Sequence, residues 1–321
     1  MGLDVISIGS ATEDVFVHVP AKFSGNGACV FYPGTKVEIE KMEYYTGGGA
    51  TNTAVAFSRM GLKAGVLCAV GNDESGDRII KELKKEKVNS ELVMNVKSKN
   101  TSYSVILTGF GRDRVILCYS GATAMLQHIT MPWKKMRAKW LYITSLHSKP
   151  AMLEKVFAHA KKNGIRVAFN PGEMELRLGI ERLGKICGKF EILLLNSEEA
   201  LKLTGSVDIH RNLQKLSGLA GIVVITEGKH GAHATDGGYV YSVKSLKVEP
   251  LDVTGAGDAF GSGFTAAVIK GKGIEEALAY GTANANSVIM HLGTKNVLLT
   301  EKAIKGFNAK HGGLKVVKRL L

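Results

Sequence analysis

DVTGAGDAFGSGF, from Asp252 to Phe264, is the stretch of this chain that constrains its architecture most. Gly255, Ala256 and Gly257 precede a run of small residues, which predicts a tight turn that opens a long helix. The free N–H groups and the dipole of such a helix end form a ready anion site. Asp258 follows in the first turn, beside the expected anion, where it could accept a proton from an attacking hydroxyl. The alternative is an ordinary capping Asp on a glycine-rich turn.

Other phosphate-binding motifs do not explain this stretch. The pattern G-x-x-x-x-G-K-[ST] occurs nowhere in the chain, which excludes a P-loop NTPase. A G-x-G-x-x-A pattern spans Gly261–Ala266, but it lies inside the predicted helix and not in a strand-to-helix turn. That position disfavours a dinucleotide-binding oxidoreductase.

A second glycine cluster, YTGGGATNTAVAFSRMG, runs from Tyr45 to Gly61. Gly48 and its two glycine neighbours allow the backbone to approach a ligand closely, and Asn52 offers both a donor and an acceptor. Taken alone, the cluster could be a flexible turn with a helix cap. Upstream, the stretch GSATED places Asp14 just past the end of the first predicted strand. Ligands of open α/β sheets bind at that edge, so this carboxylate is suited to holding hydroxyl groups.

The rest of the chain alternates short apolar runs with amphipathic stretches, which predicts a mostly parallel sheet covered by helices on both faces. Two segments, 15–46 and 101–119, instead have the alternating pattern of antiparallel hairpins, and we expect them to form a small inserted β-lid. The prediction is therefore one domain, 1–321, folded as a Rossmann-type three-layer sandwich with a lid. The predicted strands are Val5–Ile8, Ala64–Val70, Trp140–Thr144, Arg166–Phe169, Ile192–Leu195 and Ile222–Thr226, and the clearest helices are Thr51–Met60, Ser75–Glu86, Pro150–Asn163 and Ser197–Leu203.

Composition narrows the class of protein. The 321 residues include 38 glycines, a clear excess over average usage, and the charged fraction of 22% is that of a globular chain. The formal net charge is +13, yet the stretches 1–60 and 196–260, which hold the glycine motifs, are each −2. The basic surplus therefore lies elsewhere, without interleaved aromatic residues, and no nucleic-acid partner is expected.

The cysteines and the N-terminal residues indicate the cellular compartment in which the protein is expected. Cys29, Cys68, Cys118 and Cys187 are far apart and form no C-x-x-C motif, so we expect four buried hydrophobic thiols in a reducing environment. The start MGLDVISIG lacks the features of a signal peptide, and no apolar run reaches the length of a membrane span. A cytoplasmic location without membrane contact is the expectation.

Together, GGGATN near the start and DVTGAGDAF late in the chain resemble the PfkB/ribokinase family of sugar and nucleoside kinases. The resemblance runs from GSATED to GTANANSVIMHLGTKN, nearly the whole chain. It implies a ribokinase-like fold and transfer of phosphate from ATP with Mg²⁺. By position, Asp258 matches the catalytic base, and the N–H groups of Gly255, Ala256 and Gly257 match the anion hole.

The resemblance also implies a nucleotide site. Asn196 and Glu199 match a motif, N-x-x-E, that positions Mg²⁺ and the phosphates largely through water. The loop TEGKHG carries Thr226, Gly228 and Gly231, which match nucleotide contacts. Asn284, in the helix after the catalytic one, matches a position that lines the adenine pocket, although an exposed helix polar residue is an equal alternative.

On the acceptor side, the matching positions are Asp14, Gly48, Asn52 and Asp258. Asp252 and Thr254 match a monovalent cation site, but Val297 stands where ribokinases supply a side-chain ligand, so a requirement for K⁺ stays open. His147 stands where ribokinases place a carboxylate toward the sugar, so ribose is not secured as the acceptor.

The function expected from these residues is an ATP-dependent kinase that phosphorylates a hydroxyl of a sugar. A nucleoside kinase is the alternative, and Arg112 with Arg114 in the lid hairpin raises the further option of a phosphorylated sugar. A binding protein without catalysis is disfavoured by the intact Asp258, Gly255 and Glu199. Members of the family often pair through the lid, so a homodimer is a further expectation.

Overall fold

The structure of the protein is a computed structural model, and it describes residues 2–20, 23–25, 28–110, 113–146 and 149–321. Two residues of the sequence analysis, Arg112 and His147, lie outside these ranges. The proposed role of His147 on the acceptor side and the role of Arg112 in the lid therefore stay predictions from the sequence.

Strands and helices alternate along most of the described chain. In chain order the strands are β1 (Leu3–Ile8), β2 (Thr12–His18), β3 (Ser24–Gly25), β4 (Ala28–Cys29), β5 (Lys41–Gly47), β6 (Ala64–Leu67), β7 (Ala69–Gly71), β8 (Met94–Val96), β9 (Ser102–Phe110), β10 (Asp113–Tyr119), β11 (Ala138–Ile143), β12 (Arg166–Phe169), β13 (Phe190–Asn196), β14 (Ala220–Thr226), β15 (Ala232–Thr235), β16 (Tyr239–Val243) and β17 (Val316–Leu320). The helices are α1 (Gly49–Arg59), α2 (Glu74–Lys85), α3 (Pro150–Lys162), α4 (Glu173–Leu176), α5 (Gly179–Cys187), α6 (Ser197–Thr204), α7 (Ile209–Leu216), α8 (Ala256–Ile269), α9 (Ile274–Ile289) and α10 (Glu301–Lys310).

The large sheet has the order β17-β16-β15-β14-β13-β12-β11-β1-β6 among the described residues. Its strands from β14 to β6 are parallel, whereas β15, β16 and β17 form an antiparallel edge. Apolar clusters cover both faces: Ile6 and Leu141 belong to one, and Val5 and Trp140 to the other. The prediction of a mostly parallel sheet between two helical layers is confirmed, because strands buried on both sides are apolar at consecutive positions.

One predicted strand is wrong in its extent. The sequence predicts a single strand over Ala64–Val70, but the structure ends β6 at Leu67 and begins β7 at Ala69. β6 pairs with β1 in the large sheet, while β7 pairs with β8 in a separate two-stranded sheet. Both pieces are fully buried, so the apolar pattern is continuous across a break that only strand pairing reveals.

A smaller sheet stands apart, with the order β10-β9-β2-β5. Its pairs are antiparallel except for β2 with β9, which run parallel. The sheet begins at Thr12, so Asp14 lies within it, opposite Tyr45 and Ser104. Because residues that pair directly share one face, Asp14 and Ser104 point to the same side. An α/β sandwich with a small separate β-sheet is thus the observed fold.

The four cysteines differ more than the sequence indicates. Cys68 is buried, as expected, but Cys118 is exposed, and Cys29 and Cys187 are half-buried. Cys118 lies on β10, the outermost strand of the small sheet, where Ile116 and Leu117 are also exposed, so an apolar strand there does not imply a buried thiol. Among the described residues, the structure contains no helix long and apolar enough to cross a membrane.

Candidate active site

Helix α8 begins at Ala256, and Gly255 precedes it in a left-handed conformation with φ +78°. A Cβ at Gly255 would lie 2.7 Å from Cγ2 of Thr294, so this position needs glycine for both its conformation and its packing. Gly257 differs, because a Cβ built there meets no heavy atom within 4 Å among the described residues beyond its chain neighbours and the nearby backbone of α8. Gly257 therefore faces open space at the helix N-terminus, where an anion would bind.

Asp258 is held by a chain of two hydrogen bonds. The amide Nδ2 of Asn52 donates to Asp258 Oδ2 at 2.8 Å, and Thr294 Oγ1 donates to Asn52 Oδ1 at 2.8 Å. Because Thr294 donates a hydrogen bond to the amide oxygen of Asn52, the amide nitrogen of Asn52 must face Asp258. Asn52 thus orients the carboxylate itself.

Burial raises the pKa of Asp258 above its ordinary value, and the hydrogen bond from Asn52 opposes that shift. The negative charge of Asp14 raises the pKa of Asp258 further, whereas the positive charge of Lys295 lowers it. A carboxylate with a raised pKa is a stronger base than an ordinary Asp, which suits a group that accepts a proton.

Asp14 is the second carboxylate of the site. Burial raises its pKa, while hydrogen bonds from Ser104 and Thr12 and the charge of Lys295 lower it. The glycine loop packs directly beside it: a Cβ on Gly47 would clash with the Asp14 carboxylate, and one on Gly48, where φ is +96°, would lie 2.6 Å from Ser10 O. The loop can reach this strand end only with glycine at both positions.

Lys295 is a functional candidate that the sequence analysis missed. Its side chain is only 2% exposed, its Nζ donates to Thr51 Oγ1 at 3.1 Å, and it forms an ion pair with Glu82 at 3.3 Å. Burial lowers the pKa of Lys295, and the Glu82 carboxylate opposes that shift. One signal was available, since Lys295 is the single Lys, Arg, Asp or Glu between Glu276 and Glu301. An isolated charge in an apolar stretch is seldom buried without a partner.

A cavity of about 240 Å³ lies at the start of helix α8, next to Gly257. Residues from three separate parts of the chain line it, and they include five of the predicted nucleotide and anion-hole positions: Thr226, Gly228, Gly231, Ala256 and Gly257. The rest of the lining is largely apolar and includes Val253, Phe260 and Ile289. An apolar cavity that ends at a helix N-terminus can hold a flat apolar group and an attached anion.

A smaller cavity of about 80 Å³ continues this region, and Asn196, Glu199, Thr226 and Gly257 line it together. Asn196 caps helix α6, because its Oδ1 accepts from Glu199 N at 2.8 Å and Glu199 Oε2 accepts from Asn196 N at 2.8 Å. Burial raises the pKa of Glu199. The described residues contain no cluster of three metal-ligating side chains, so a protein cage for a metal is not found there.

Asn284 does not line the 240 Å³ cavity, whereas the sequence predicts it at the wall of an adenine pocket. The side chain is fully buried, its Nδ2 donates to Ala259 O at 2.7 Å, and its Oδ1 accepts from Leu299 N at 2.9 Å. Thr282 and Asn286 line the cavity instead. Residues two positions apart on a helix point about 200° apart, so the polar run of α9 divides between the core and the cavity. The alternative prediction for Asn284, an exposed polar residue on the helix, is wrong because the side chain is buried.

Asp252 lies just before the N-terminus of helix α8, and one of its carboxylate oxygens is engaged. Its Oδ1 accepts from Thr254 N at 3.0 Å and Thr254 Oγ1 at 2.8 Å, while the buried Oδ2 has no partner among the described residues. Arg114 Nε, from the small sheet, lies 3.9 Å from Asp252 Oδ1. An orphan carboxylate oxygen fits a cation, but the nearby guanidinium already supplies a positive charge there.

An open helix N-terminus, a buried carboxylate in its first turn and an apolar cavity nearby are an arrangement that suits phosphoryl transfer. Residues 3–301 match the pfkB family carbohydrate kinase model, and the chain belongs to this family of kinases. A nucleoside kinase of Methanothermobacter thermautotrophicus is 27% identical over 318 residues, covering 96% of this chain and 97% of that protein.

Two solved structures share the fold. The nucleoside kinase of Methanocaldococcus jannaschii superimposes with a TM-score of 0.82 at 23% identity, covering 97% of this chain and 99% of that chain. A ribokinase of Arabidopsis thaliana, complexed with ribose and ATP, gives a TM-score of 0.80 at 20% identity and covers 96% and 99%. The family and the fold expected from the sequence are both confirmed.

Proposed function

We propose that this kinase transfers the γ-phosphoryl group of ATP to a hydroxyl of a sugar or of a sugar-containing molecule, with Asp258 as the general base. The observation that carries the proposal is the position of Asp258 in the first turn of α8. There it is one residue from the open N–H face at Gly257 and hydrogen-bonded to Asn52. A base and an anion hole on adjacent residues can serve the attacking oxygen and the transferring phosphoryl group together.

In the proposed reaction, Asp14 and Asn52 hold the acceptor so that one hydroxyl faces Asp258. Asp258 accepts the proton of that hydroxyl, and its oxygen attacks the γ-phosphorus while the bond to the leaving ADP breaks. The N–H groups of Gly255 and Gly257 stabilise the charge on the transferring group, joined by that of Ala256 once it leaves its 3.2 Å bond to Val253 O. Gly48 allows the backbone to approach the acceptor.

The nucleotide would occupy the 240 Å³ cavity, with Thr226, Gly228 and Gly231 at its wall. Asn196 and Glu199 fit a Mg²⁺ held through water, because the carboxylate opens onto a small cavity shared with Gly257. Mg²⁺, when bound, neutralises charge on the phosphate oxygens. A K⁺ ion beside Asp252 and Thr254 is a weaker proposal, since Arg114 lies close to the same carboxylate.

A nucleoside as the acceptor is the second candidate. It is favoured by the nucleoside kinase of Methanothermobacter thermautotrophicus, which matches over nearly its full length. A coupled ADP-release screen over pentoses, hexoses, sugar phosphates and nucleosides distinguishes the candidates. The acceptor with the highest kcat/KM identifies the class, and Arg114→Ala should impair only a phosphorylated acceptor.

The small sheet is proposed to act as a lid within a single domain, 1–321, with its hairpins at 15–46 and 101–119. Closure would exclude water and limit hydrolysis of ATP. Its outer face is apolar and exposed at Met42, Tyr44 and Leu117, which supports pairing of two copies through the lid. Sedimentation velocity of the wild type and of Leu117→Lys tests the homodimer.

The central test of the proposed function is Asp258→Asn. We expect kcat to fall by about 10²- to 10⁴-fold, because the base is lost while the shape is kept. ATP binding, measured by calorimetry, should change little. Turnover close to the wild type would contradict the role of Asp258, and loss of folding by circular dichroism would call for Asp258→Glu as the second variant.

A further inference from the structure

A second and larger cavity lies outside the active site, at the antiparallel edge of the large sheet. It is a groove of about 990 Å³ between β16, β17 and the end of α10. We call it the basic groove. Its lysines and arginine are Lys244, Lys247, Lys310, Lys315 and Arg319.

The charge of the basic groove is not balanced locally. None of its seventeen lining residues is Asp or Glu, and none of its five lysines and arginines forms an ion pair with a described carboxylate. Two carboxylates near the lining are already engaged: Glu227 is bonded to His233 at 2.8 Å, and Asp208 accepts from Arg211 N at 2.8 Å. Five like charges around one groove repel one another, and a bound anion would relieve that repulsion.

The shape and composition of the groove indicate the kind of anion. Its volume lies at the upper end of the range for small-molecule sites. No Phe, Tyr or Trp lines it, whereas proteins that bind single-stranded nucleic acids stack bases on aromatic side chains. Phosphate groups suit spaced lysines, which act as point charges without fixed orientation.

The groove also adjoins the nucleotide cavity. Ser245 and Leu246 line both cavities, so one short segment forms the wall between them. Ser245 Oγ donates to Asn286 Oδ1 at 3.2 Å, which links this wall to helix α9. A ligand that moves or fixes the segment in the basic groove changes the shape of the nucleotide cavity.

We propose that the basic groove binds a small molecule carrying two or more phosphate groups, and that its occupancy alters the affinity of the nucleotide cavity. This site is separate from the proposed chemistry of Asp258. It assigns a role to Lys310, Lys315 and Arg319, which belong to the basic surplus that the kinase motifs do not use.

The test uses tripolyphosphate as the probe and isothermal titration calorimetry of the full chain. The groove variant is Lys244→Ser/Lys247→Ser/Lys315→Ser. The control variant, Lys134→Ser/Lys135→Ser/Lys162→Ser, removes the same charge from exposed positions outside the groove. We expect two sites in the wild type and in the control, and one site, the anion hole, in the groove variant. Equal binding by both variants overturns the proposal.

Two further measurements separate the possible outcomes. In Asp258→Asn the groove site should persist, so a failure of the kinase proposal does not remove it. The coupling should appear as an ADP affinity that changes about fivefold or more with groove occupancy, within the usual range for linked sites. A single-stranded 20-mer that binds through the groove lysines, while tripolyphosphate does not, would identify a nucleic-acid surface and contradict the proposal.

Discussion

The two sides of the cleft around Asp258 are built differently. On the acceptor side, Asn52 and Lys295 are buried, and their polar atoms have protein partners. On the nucleotide side, Gly257 faces open space, and the buried hydroxyl of Thr282 has no partner among the described residues. The acceptor side is therefore fixed by its own contacts before any ligand binds, whereas the nucleotide side leaves room and unpaired groups for one.

This difference indicates which residues control the ionisation of the proposed base, Asp258. Burial raises the pKa of Asp258, and the groups that oppose this shift, Asn52 and Lys295, both belong to the acceptor side. We expect changes there to alter the pH dependence of turnover, and changes on the nucleotide side to alter ATP binding and phosphoryl transfer without moving that pH dependence.

Among the substitutions that compare the two sides around Asp258, the largest effect is expected from Gly257→Val. A side chain at this position enters the open space where the phosphoryl group would bind, so kcat/KM for ATP should fall by about 100-fold or more. Stability should stay nearly unchanged because no protein atom lies in the way. Gly306→Val is the matched control, since Gly306 also has open space around it but lies on α10. Equal kinetics of both variants would contradict the proposal that Gly257 forms part of an anion hole.

The next largest effect is expected from Asn52→Leu, which removes the hydrogen bond to Asp258. We expect kcat to fall about tenfold or more. The loss of this bond also raises the pKa of Asp258 further. A base works only when ionised, so activity is present above this pKa and lost as pH falls through it. The acidic limb of the kcat profile should therefore move to higher pH.

Thr294→Val separates the orienting role of Asn52 from contact with the acceptor. It keeps Asn52 but frees the amide to rotate, so the acidic limb should move in the same direction by a smaller amount. An unchanged pH profile in both variants would show that the hydrogen bonds seen at Asp258 do not control its ionisation.

A smaller effect is expected from Lys295→Met, which removes a positive charge that lowers the pKa of both Asp14 and Asp258. The acidic limb should move to higher pH. The free energy of unfolding should drop by about 1 to 3 kcal/mol, less than for a fully buried pair, because Glu82 is partly exposed. The surface pair of Lys270 and Glu301 supplies the control, and Lys270→Met should leave the pH profile in place.

The smallest expected effect is a change in the alkylation rate of Cys118, which tests closure of the lid. Cys118 is exposed and lies on the same face of the small sheet as Ser104 and Asp14. If this face closes over the acceptor, alkylation of Cys118 should slow severalfold when acceptor and ADP are bound, as mass spectrometry of the modified peptide can measure. Cys187, on α5 beside the large sheet, should react at the same rate in both states.

The two sides also differ in how well the sequence predicts them. The glycine clusters and Asp258 are local motifs, and they indicate the turn, the helix and the neighbouring anion site directly. Lys295 is different, because its partners Thr51 and Glu82 are distant along the chain. Asn284 shows the same limit, since one step around a helix separates a cavity residue from a core residue, and a polar run does not indicate which is which.

By itself, the sequence determined the parallel sheet, the helix that opens at Gly255, the carboxylate that follows it and the family of kinases. The sheet, the helix start and the carboxylate follow from periodicity and from glycine chemistry, which act over a few residues, whereas the family follows from the resemblance of the two glycine motifs. The tertiary structure alone decided that Asn52 orients Asp258, that Lys295 lies buried against Thr51 and Glu82, and that the lysines of two distant segments surround the basic groove. Those features depend on distances between residues far apart in the chain, which only packing brings together.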